Sequence, residues 1–373
     1  MNRPVRSPGR VVLVTSCLGG GGAERIVATM AAHWTAAGRE VHVVTLRSDE
    51  AGPAYDFPSA VRVHALGLIR ERNRVADLGH LRRLRELRRR LLALQPAVVV
   101  SFIDKLNAAV LLALAGTGIP VVATEHHVPW LNPLGRPWEW LRRRLYRRAW
   151  AVVCPTRPLR DWFAGRMPGN FVLLRYPAHL SPMAPPEAVS RRGRRILAAG
   201  RLVPVKGFDL LIDAFAAVAD EPPGWHLEIL GEGPERAGLE RQVAARGLAG
   251  CVSLPGHVPD VGRRLQEADI FALPSRQEVY PMILCEAMAA GTAVLAADCP
   301  AGPGELMTDG ADGLLVPPEN AGALAGALRR LMADPALRHR LGAAARARAL
   351  SFTPLHVMGG WDNLLAEAAG PRP

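Results

Sequence analysis

Lysine is almost missing from this chain of 373 residues: Lys105 and Lys206 stand alone among 46 basic side chains, the rest being arginine. The bias reads as a high-GC coding signature, so the abundance of arginine by itself says little about function. Cysteine is sparse as well. Cys17, Cys154, Cys251, Cys285 and Cys299 are scattered, with no Cys-x-x-Cys. An odd count without close pairs argues against a disulfide framework or a structural zinc site and fits reduced, mostly buried thiols. No apolar run reaches the ~20 residues that would span a bilayer. Met1–Arg10 is basic and Pro-bearing, and Val11–Leu18 is too short and strand-like for a signal peptide. The expectation is a cytoplasmic protein, peripheral at the inner face of the cell membrane if it meets lipid. Repeats and low-complexity tracts are lacking apart from the arginine runs.

What is present suits a packed globular protein of two domains: 49% hydrophobic and 21% charged residues. The net charge of +12 is unevenly spread. Residues 1–178 hold 27 basic and 12 acidic side chains, and residues 179–373 hold 19 and 22. A basic first half points to an acidic partner: a membrane surface, a phosphorylated lipid or a nucleic acid.

Arg10–Thr15 reads as a buried strand, followed by the four glycines Gly19–Gly22, a helix from about Ala23 to Ala37 closed by Gly38, and a strand over Glu40–Leu46. Val61–Leu66, Val98–Phe102, Val121–Thr124, Ala151–Cys154 and Phe171–Leu174 continue the strands. Leu78, Leu81, Leu84, Leu87, Leu91 and Leu94 mark an amphipathic helix. Tyr176–Gly193, rich in Pro, Ala and Ser, reads as a linker. The pattern then restarts, with strands at Ile196–Ala199, Leu227–Leu230, Val252–Leu254, Ile270–Leu273 and Ala293–Ala297, and a helix over Phe208–Val218. The fold class expected is α/β, two doubly wound parallel-sheet domains. Their bounds are 1–178 and 179–353, with a tail helix in 354–373 packing back toward the first.

Two places in the second half carry chemistry. Gly200-Arg201-Leu202-Val203-Pro204-Val205-Lys206-Gly207 follows a strand, where open α/β sheets bind ligands, and Arg201 and Lys206 present two cations there. Fixed cations stabilise the charge that develops on a leaving diphosphate, with no divalent metal required. Further on, Glu278 and Glu286 are eight residues apart. Pro281 suits a helix's first turn, Met282–Ala290 are good helix formers, and Gly291 can end the helix. Glu278 then lies on the entering loop and Glu286 on the second turn. Helix N–H groups between them make an anion site. Carboxylates for hydroxyls beside a site for phosphate suit a sugar nucleotide.

The Glu278-x7-Glu286 spacing and the Gly-Arg-Leu-x-x-x-Lys-Gly stretch resemble those of the retaining, GT-B-fold glycosyltransferases of family 4. Further matches follow in order: Gly231-Glu232-Gly233-Pro234, Gly256-His257-Val258, Ala268-Asp269-Ile270, Pro274-Ser275-Arg276, Asp298-Cys299-Pro300, Gly302-Pro303-x-Glu305, Gly310, and Gly313 to Pro317. Roughly residues 195–320 are covered closely. The resemblance implies a GT-B architecture: two Rossmann-like domains facing a central cleft, acceptor in the first and nucleotide-sugar donor in the second, with the C-terminal helix crossing back. It implies that Arg201 and Lys206 grip the donor diphosphate, that Glu286 takes ribose hydroxyls, and that Glu278 contacts the transferred sugar. Backbone N–H groups of Tyr280, Pro281's neighbours Met282 and Ile283, and the turns at Gly231, Gly233, His257 and Val258 complete the donor site. Val279 departs from the glycine common at that position, so the sugar pocket has its own shape.

In the first half Gly21 and Gly22, leading into Ala23-Glu24-Arg25, resemble the family's amino-terminal glycine loop. Thr124-Glu125-His126-His127 looks like the Ser-Glu-His segment of the polysaccharide-building members, which implies that His126, or else His127, lies under the transferred sugar. Pro137–Trp150 interleaves Trp138, Trp140, Leu141, Leu145, Tyr146 and Trp150 with Arg142, Arg143, Arg144, Arg147 and Arg148. That pattern suits a helix on an anionic membrane, and equally one packed into its own domain with solvated arginines. The resulting expectation is a retaining, metal-independent hexosyltransferase using a UDP-sugar, with no cofactor, to build a glycan or lipid-linked glycan. The alternatives are the same chemistry on a soluble small-molecule acceptor, and, from another class, a basic nucleic-acid-binding protein. The last leaves the ordered motifs of the second half unexplained, so no nucleic-acid partner is expected.

Overall fold

Continuous apolar runs become strands covered on both faces by helices, which is how parallel sheets are buried. The computed structural model describes residues 9–48, 52–69, 79–178 and 193–370. The chain forms two units, Met1–His179 with Pro354–Pro373, and Leu180–Thr353. Seven strands build the first: β1 (Val11–Thr15), β2 (Val41–Arg47), β3 (Arg62–Ile69), β4 (Val98–Phe102), β5 (Val121–Thr124), β6 (Ala151–Cys154) and β7 (Phe171–Leu173). They are joined by α1 (Gly22–Ala36), α2 (Gly79–Ala93), α3 (Asp104–Ala113), α4 (Arg136–Tyr146) and α5 (Arg157–Ala164). All neighbouring strands are parallel, in the order β3-β2-β1-β4-β5-β6-β7.

The second unit repeats the plan with β8 (Arg195–Ala199), β9 (His226–Leu230), β10 (Val252–Gly256), β11 (Ile270–Leu273), β12 (Ala293–Ala297) and β13 (Leu314–Val316). The order is β10-β9-β8-β11-β12-β13, again all parallel. Its helices are α6 (Phe208–Ala216), α7 (Arg236–Ala245), α8 (Val261–Glu267), α9 (Met282–Ala289), α10 (Ala321–Ala333) and α11 (Pro335–Ala349). Ile196, Leu211, Phe215, Leu227, Ile229, Ile270 and Leu295 are fully buried in one core. In each sheet the strand order reverses once, between β1 and β4 and between β8 and β11. Those switch points, at the carboxyl ends of the strands, are where doubly wound folds hold ligands.

The last helix, α12 (Pro354–Ala369), belongs to the first unit. Asp362 accepts from the Trp34 indole at 2.9 Å and pairs with Arg39 at 3.1 Å and His33 at 3.2 Å. Trp361, fully buried, donates to the Arg175 carbonyl at 2.9 Å.

Three local expectations need correction. The linker begins later than Tyr176, since Tyr176, Pro177 and Ala178 are buried; the stretch 179–192 lies outside the described residues. Leu78 is likewise outside, and within α2 the apolar face is Leu87 and Leu91, whereas Leu81 is 56% exposed. Finally, Arg142 does not join the outward row of arginines on α4. It is 1% exposed, paired with Glu139 at 2.7 Å, and its guanidinium lies 5.0 Å from the Phe163 ring centre. A delocalised, weakly hydrated cation can be packed this way where a lysine could not.

Candidate functional site

The loops leaving β8 and β11 border the second sheet's switch point and are locked together. After β8 the chain turns through a short 3₁₀ segment, Pro204–Lys206, into Gly207, whose φ is +67°. A Cβ on Gly207 would stand 2.2 Å from the Pro274 carbonyl oxygen, so only glycine allows this approach. Arg276 fastens the same junction. It holds Asp209 by its two terminal guanidinium nitrogens at 2.8 and 2.7 Å and donates to the Pro204 carbonyl at 2.6 Å. Bonding to Arg276 holds the Asp209 carboxyl below its ordinary range. Nothing in the spacing of Asp209 and Arg276 announces this clamp, because the two are brought together by the strand order.

The clamp sets Lys206 against Glu278. The Lys206 ammonium is 2.6 Å from Glu278 Oε1, which also accepts from the Ser275 hydroxyl at 2.8 Å. Behind Glu278 lies the turn after β12: a Cβ on Gly302 would be 2.8 Å from the Glu278 Cβ, and burial together with the Glu278 charge pushes the Cys299 thiol up to about 12. Arg201 is exposed on the loop after β8. Pro281 is the N-cap of α9 rather than part of its first turn, and no side chain caps the helix. The Met282 and Ile283 N–H groups thus stand at the positive end of the helix dipole. Val279 and Tyr280 are buried beside them, and Glu286, on the second turn of α9, is 4% exposed.

Gly231 and Gly233 shape this loop from below. A Cβ on Gly231 would be 1.9 Å from the Gly200 carbonyl oxygen, and one on Gly233 would be 2.3 Å from that of Leu202. The two segments are hydrogen bonded, Gly200 N to Leu230 O at 3.0 Å and Leu202 N to Glu232 O at 2.8 Å. Their glycines have a packing reason in the structure. His257 is exposed and Val258 half-buried on the turn after β10.

In the first sheet β1 leads into the glycine loop. Gly21 is the N-cap of α1 and Gly22 its first residue; a Cβ on Gly21 would meet the Glu24 carboxylate at 2.3 Å. At the end of β5, His126 Nε2 is 2.8 Å from the Thr124 hydroxyl, which itself donates to the Ser101 carbonyl at 2.9 Å. The hydroxyl proton being engaged, Nε2–H is the donor and Nδ1 the acceptor, an assignment made from the network. The ring stacks on Tyr176, centroids 4.7 Å apart at 7°. Burial, and then the neighbouring His127, lower the His126 pKa to about 3, so the imidazole is neutral. His127 faces elsewhere, its Nδ1 3.1 Å from Asp104 Oδ2.

Beneath them Glu125 is 1% exposed and accepts from the Tyr146 hydroxyl. Burial raises its carboxyl to about 7, against the opposing pull of Arg142 and Tyr146. Asn107 ties the cluster together, donating to the Thr124 carbonyl at 2.8 Å and accepting from the Ser101 hydroxyl at 2.7 Å. Among the described residues no group of three or more His, Cys, Asp or Glu could hold a metal ion, and no helix is long and apolar enough to cross a membrane.

Both halves of the chain match known families. A family model described as glycosyl transferases group 1 matches residues 186–348, and one described as glycosyltransferase family 4 matches residues 20–170. A Campylobacter jejuni enzyme, an α-1,4-N-acetyl-D-galactosaminyltransferase named for a GalNAc-bearing diNAcBac-PP-undecaprenol, is 27% identical over 96% of this chain and 98% of its own length. An exopolysaccharide phosphotransferase of Streptomyces coelicolor is 37% identical over 51% of this chain. The chain spans 21% of that relative's length and 50% of another curated relative's. Among solved structures, an Anabaena protein in complex with UDP and glucose superposes with a TM-score of 0.80 at 19% identity, over 96% of this chain and 99% of that one. Sucrose-phosphate synthase of Thermosynechococcus elongatus gives 0.82 at 20% identity, over 95% and 98%. The fold is GT-B in type, two parallel-sheet, Rossmann-like α/β domains.

Proposed function

The chain belongs to the group 1, family 4 glycosyltransferases, and from that premise we propose that it moves a sugar from a uridine diphosphate donor to a hydroxyl of a glycan or lipid-linked glycan, with retention of anomeric configuration. The observation that carries this reading is the Lys206–Glu278 contact of 2.6 Å at the second sheet's switch point, beside the uncapped start of α9. A donor diphosphate competes with Glu278 for the Lys206 ammonium. Binding transfers the ammonium to phosphate and releases the carboxylate to accept hydroxyls of the sugar. Arg201 supplies the second cation, the N–H groups of Tyr280, Met282 and Ile283 meet phosphate or sugar oxygens, and Glu286 takes the ribose. As the glycosidic bond breaks, negative charge grows on the diphosphate, and these fixed donors stabilise it more than the ground state. No metal ion or other cofactor is required for that role. His126, neutral and with Nδ1 as acceptor, binds a sugar hydroxyl rather than acting as general base. A fold relative solved with UDP and glucose supports uridine as the base.

The first unit serves the acceptor. The exposed side of α4 carries Arg143, Arg144 and Trp140, the last 60% exposed with the Arg144 guanidinium 5.1 Å from its ring centre. Arg147 and Arg148 follow. This face suits an anionic membrane, where each basic residue adds ~1 kcal/mol, and supports a peripheral location at the inner face of the cell membrane.

A thermal-shift screen of nucleotide sugars tests the reading. One uridine compound should stand out, with stabilisation of ~2.7 kcal/mol at one hundred times its Kd. The product's anomeric proton should show the donor's configuration kept. Protection by no nucleotide sugar, or an inverted product, contradicts the proposal.

A further inference from the structure

Each of the two lysines follows a strand beside its own sheet's switch point, Lys206 the first strand of the second sheet and Lys105 the fourth strand of the first. Lys206 is on the loop leaving β8, and Lys105 is the second residue of α3, on the segment leaving β4. Each strand borders the switch point of its own sheet. Every other basic position of the chain carries arginine. An ammonium is a compact, strongly hydrated point charge whose donors rotate freely, which a planar guanidinium does not reproduce. If Lys206 serves a phosphate, Lys105 invites the same question.

Its surroundings are those of a ligand site. β4 enters α3 through Ile103, at φ +75° and ψ 138°. A β-branched residue at positive φ costs ~1–3 kcal/mol and is kept mainly where function demands it. The turn sets Asp104 and Lys105 on the wall of a cavity of ≈ 460 Å³, shared with His127, Asn132, Pro133 and Leu134. Both oxygens of Asp104 are engaged, Oδ1 accepting from the Lys105 N–H at 2.6 Å and Oδ2 3.1 Å from His127 Nδ1. Burial alone would raise the Asp104 pKa, but these bonds and Arg142 outweigh it and hold the carboxyl below its ordinary range. The Lys105 ammonium, 5.9 Å from the Trp138 ring centre, forms no ion pair among the described residues. The cavity therefore combines one exposed cation with polar groups held in place by a buried carboxylate.

We propose that this cavity is the acceptor's phosphate site: Lys105 binds a phosphate or diphosphate group, while His127, oriented by Asp104, and Asn132 bind adjoining hydroxyls. The acceptor class is then a phosphorylated polyol, either a lipid-linked glycosyl diphosphate or a free sugar phosphate. The proposal deepens the transferase reading and rests on it.

Inorganic pyrophosphate is the probe, titrated calorimetrically into the full chain carrying Lys206→Ala, which weakens the donor diphosphate site. Pyrophosphate should still bind, and adding Lys105→Ala should weaken it about tenfold or more, the size of one lost charge-assisted contact. Lys105→Arg should restore only part. Binding that ignores Lys105, or that vanishes with Lys206→Ala alone, overturns the proposal. UDP titrated into the wild-type and Lys105→Ala chains tests the donor reading separately, because it should bind both equally. UDP that binds neither sinks that reading while leaving Lys105-dependent pyrophosphate binding to stand. Phosphatidylglycerol vesicles with and without a polyprenyl diphosphate separate the two sources. A diphosphate-dependent gain that Lys105→Ala removes assigns the lipid-linked acceptor. A Lys105 effect confined to soluble pyrophosphate assigns the free sugar phosphate.

Discussion

Glu125 and His126 are adjacent and both withdrawn from water, and they pull the pH dependence of stability in opposite directions. Glu125 in the unfolded chain loses its proton near 4.5, whereas in the fold it keeps it to about 7. Its contribution is full below 4.5 and is lost as pH rises to 7. The unfolded His126 takes up a proton below 6.5, and the folded ring resists until about 3, so stability falls as pH drops through that interval. Between 4.5 and 6.5 the two slopes oppose, and above 6.5 only Glu125 acts. Glu125→Gln, which keeps an acceptor for Tyr146, should therefore stabilise the protein relative to wild type by on the order of 2–3 kcal/mol at pH 8 and by much less at pH 4. Urea denaturation at the two pH values measures this, and equal differences at both would contradict the burial of an ionising carboxyl. The place of Glu125 and His126 was legible because an apolar strand ends just before them. Tyr176, which stacks on His126 and donates to the Glu125 carbonyl at 2.8 Å, was read as linker. A contact made across some fifty residues leaves no local pattern.

At the scale of elements, the site in the second unit depends on a short turn more than on any helix. The 3₁₀ segment Pro204–Lys206 is held by Gly207 against Pro274 and by Arg276 on Asp209. Gly207→Ala drives a methyl into a backbone carbonyl and strains a positive φ. It should cost ~1–3 kcal/mol and weaken nucleotide binding. Gly238→Ala is the control: it lies within α7 with nothing within 4 Å of its Cβ, and should be neutral or stabilise by up to ~1 kcal/mol. Thermal melts with and without UDP compare the pair, and equal effects would contradict the account. Buried parallel strands are continuous apolar runs, and β4, β5, β6, β11 and β12 fall where the runs fall. β13 was noticed only as part of a motif, since three residues carry no period. Arg142 was misplaced on α4 because helical periodicity marks a face but not how deeply an arginine's partners let it sink.

Over the whole molecule the legible signal was unequal. The second half carries many ordered motifs at strand ends, and its resemblance to the family rests on them. The first half carries mostly charge, 27 basic against 12 acidic side chains in residues 1–178. Charge fixes the sign of a partner without its identity, so its polar cluster around Glu125 and the cavity beside Lys105 emerged only from the fold. In each sheet a lysine stands beside the reversal of strand order. The claim on which the rest depends is that Lys206 holds the donor's diphosphate. Calorimetric titration of UDP into the wild-type chain and into Lys206→Ala tests it directly. The account predicts clear binding to the wild type and a loss of about tenfold or more on removing the ammonium; UDP binding with equal affinity to both proteins would contradict it.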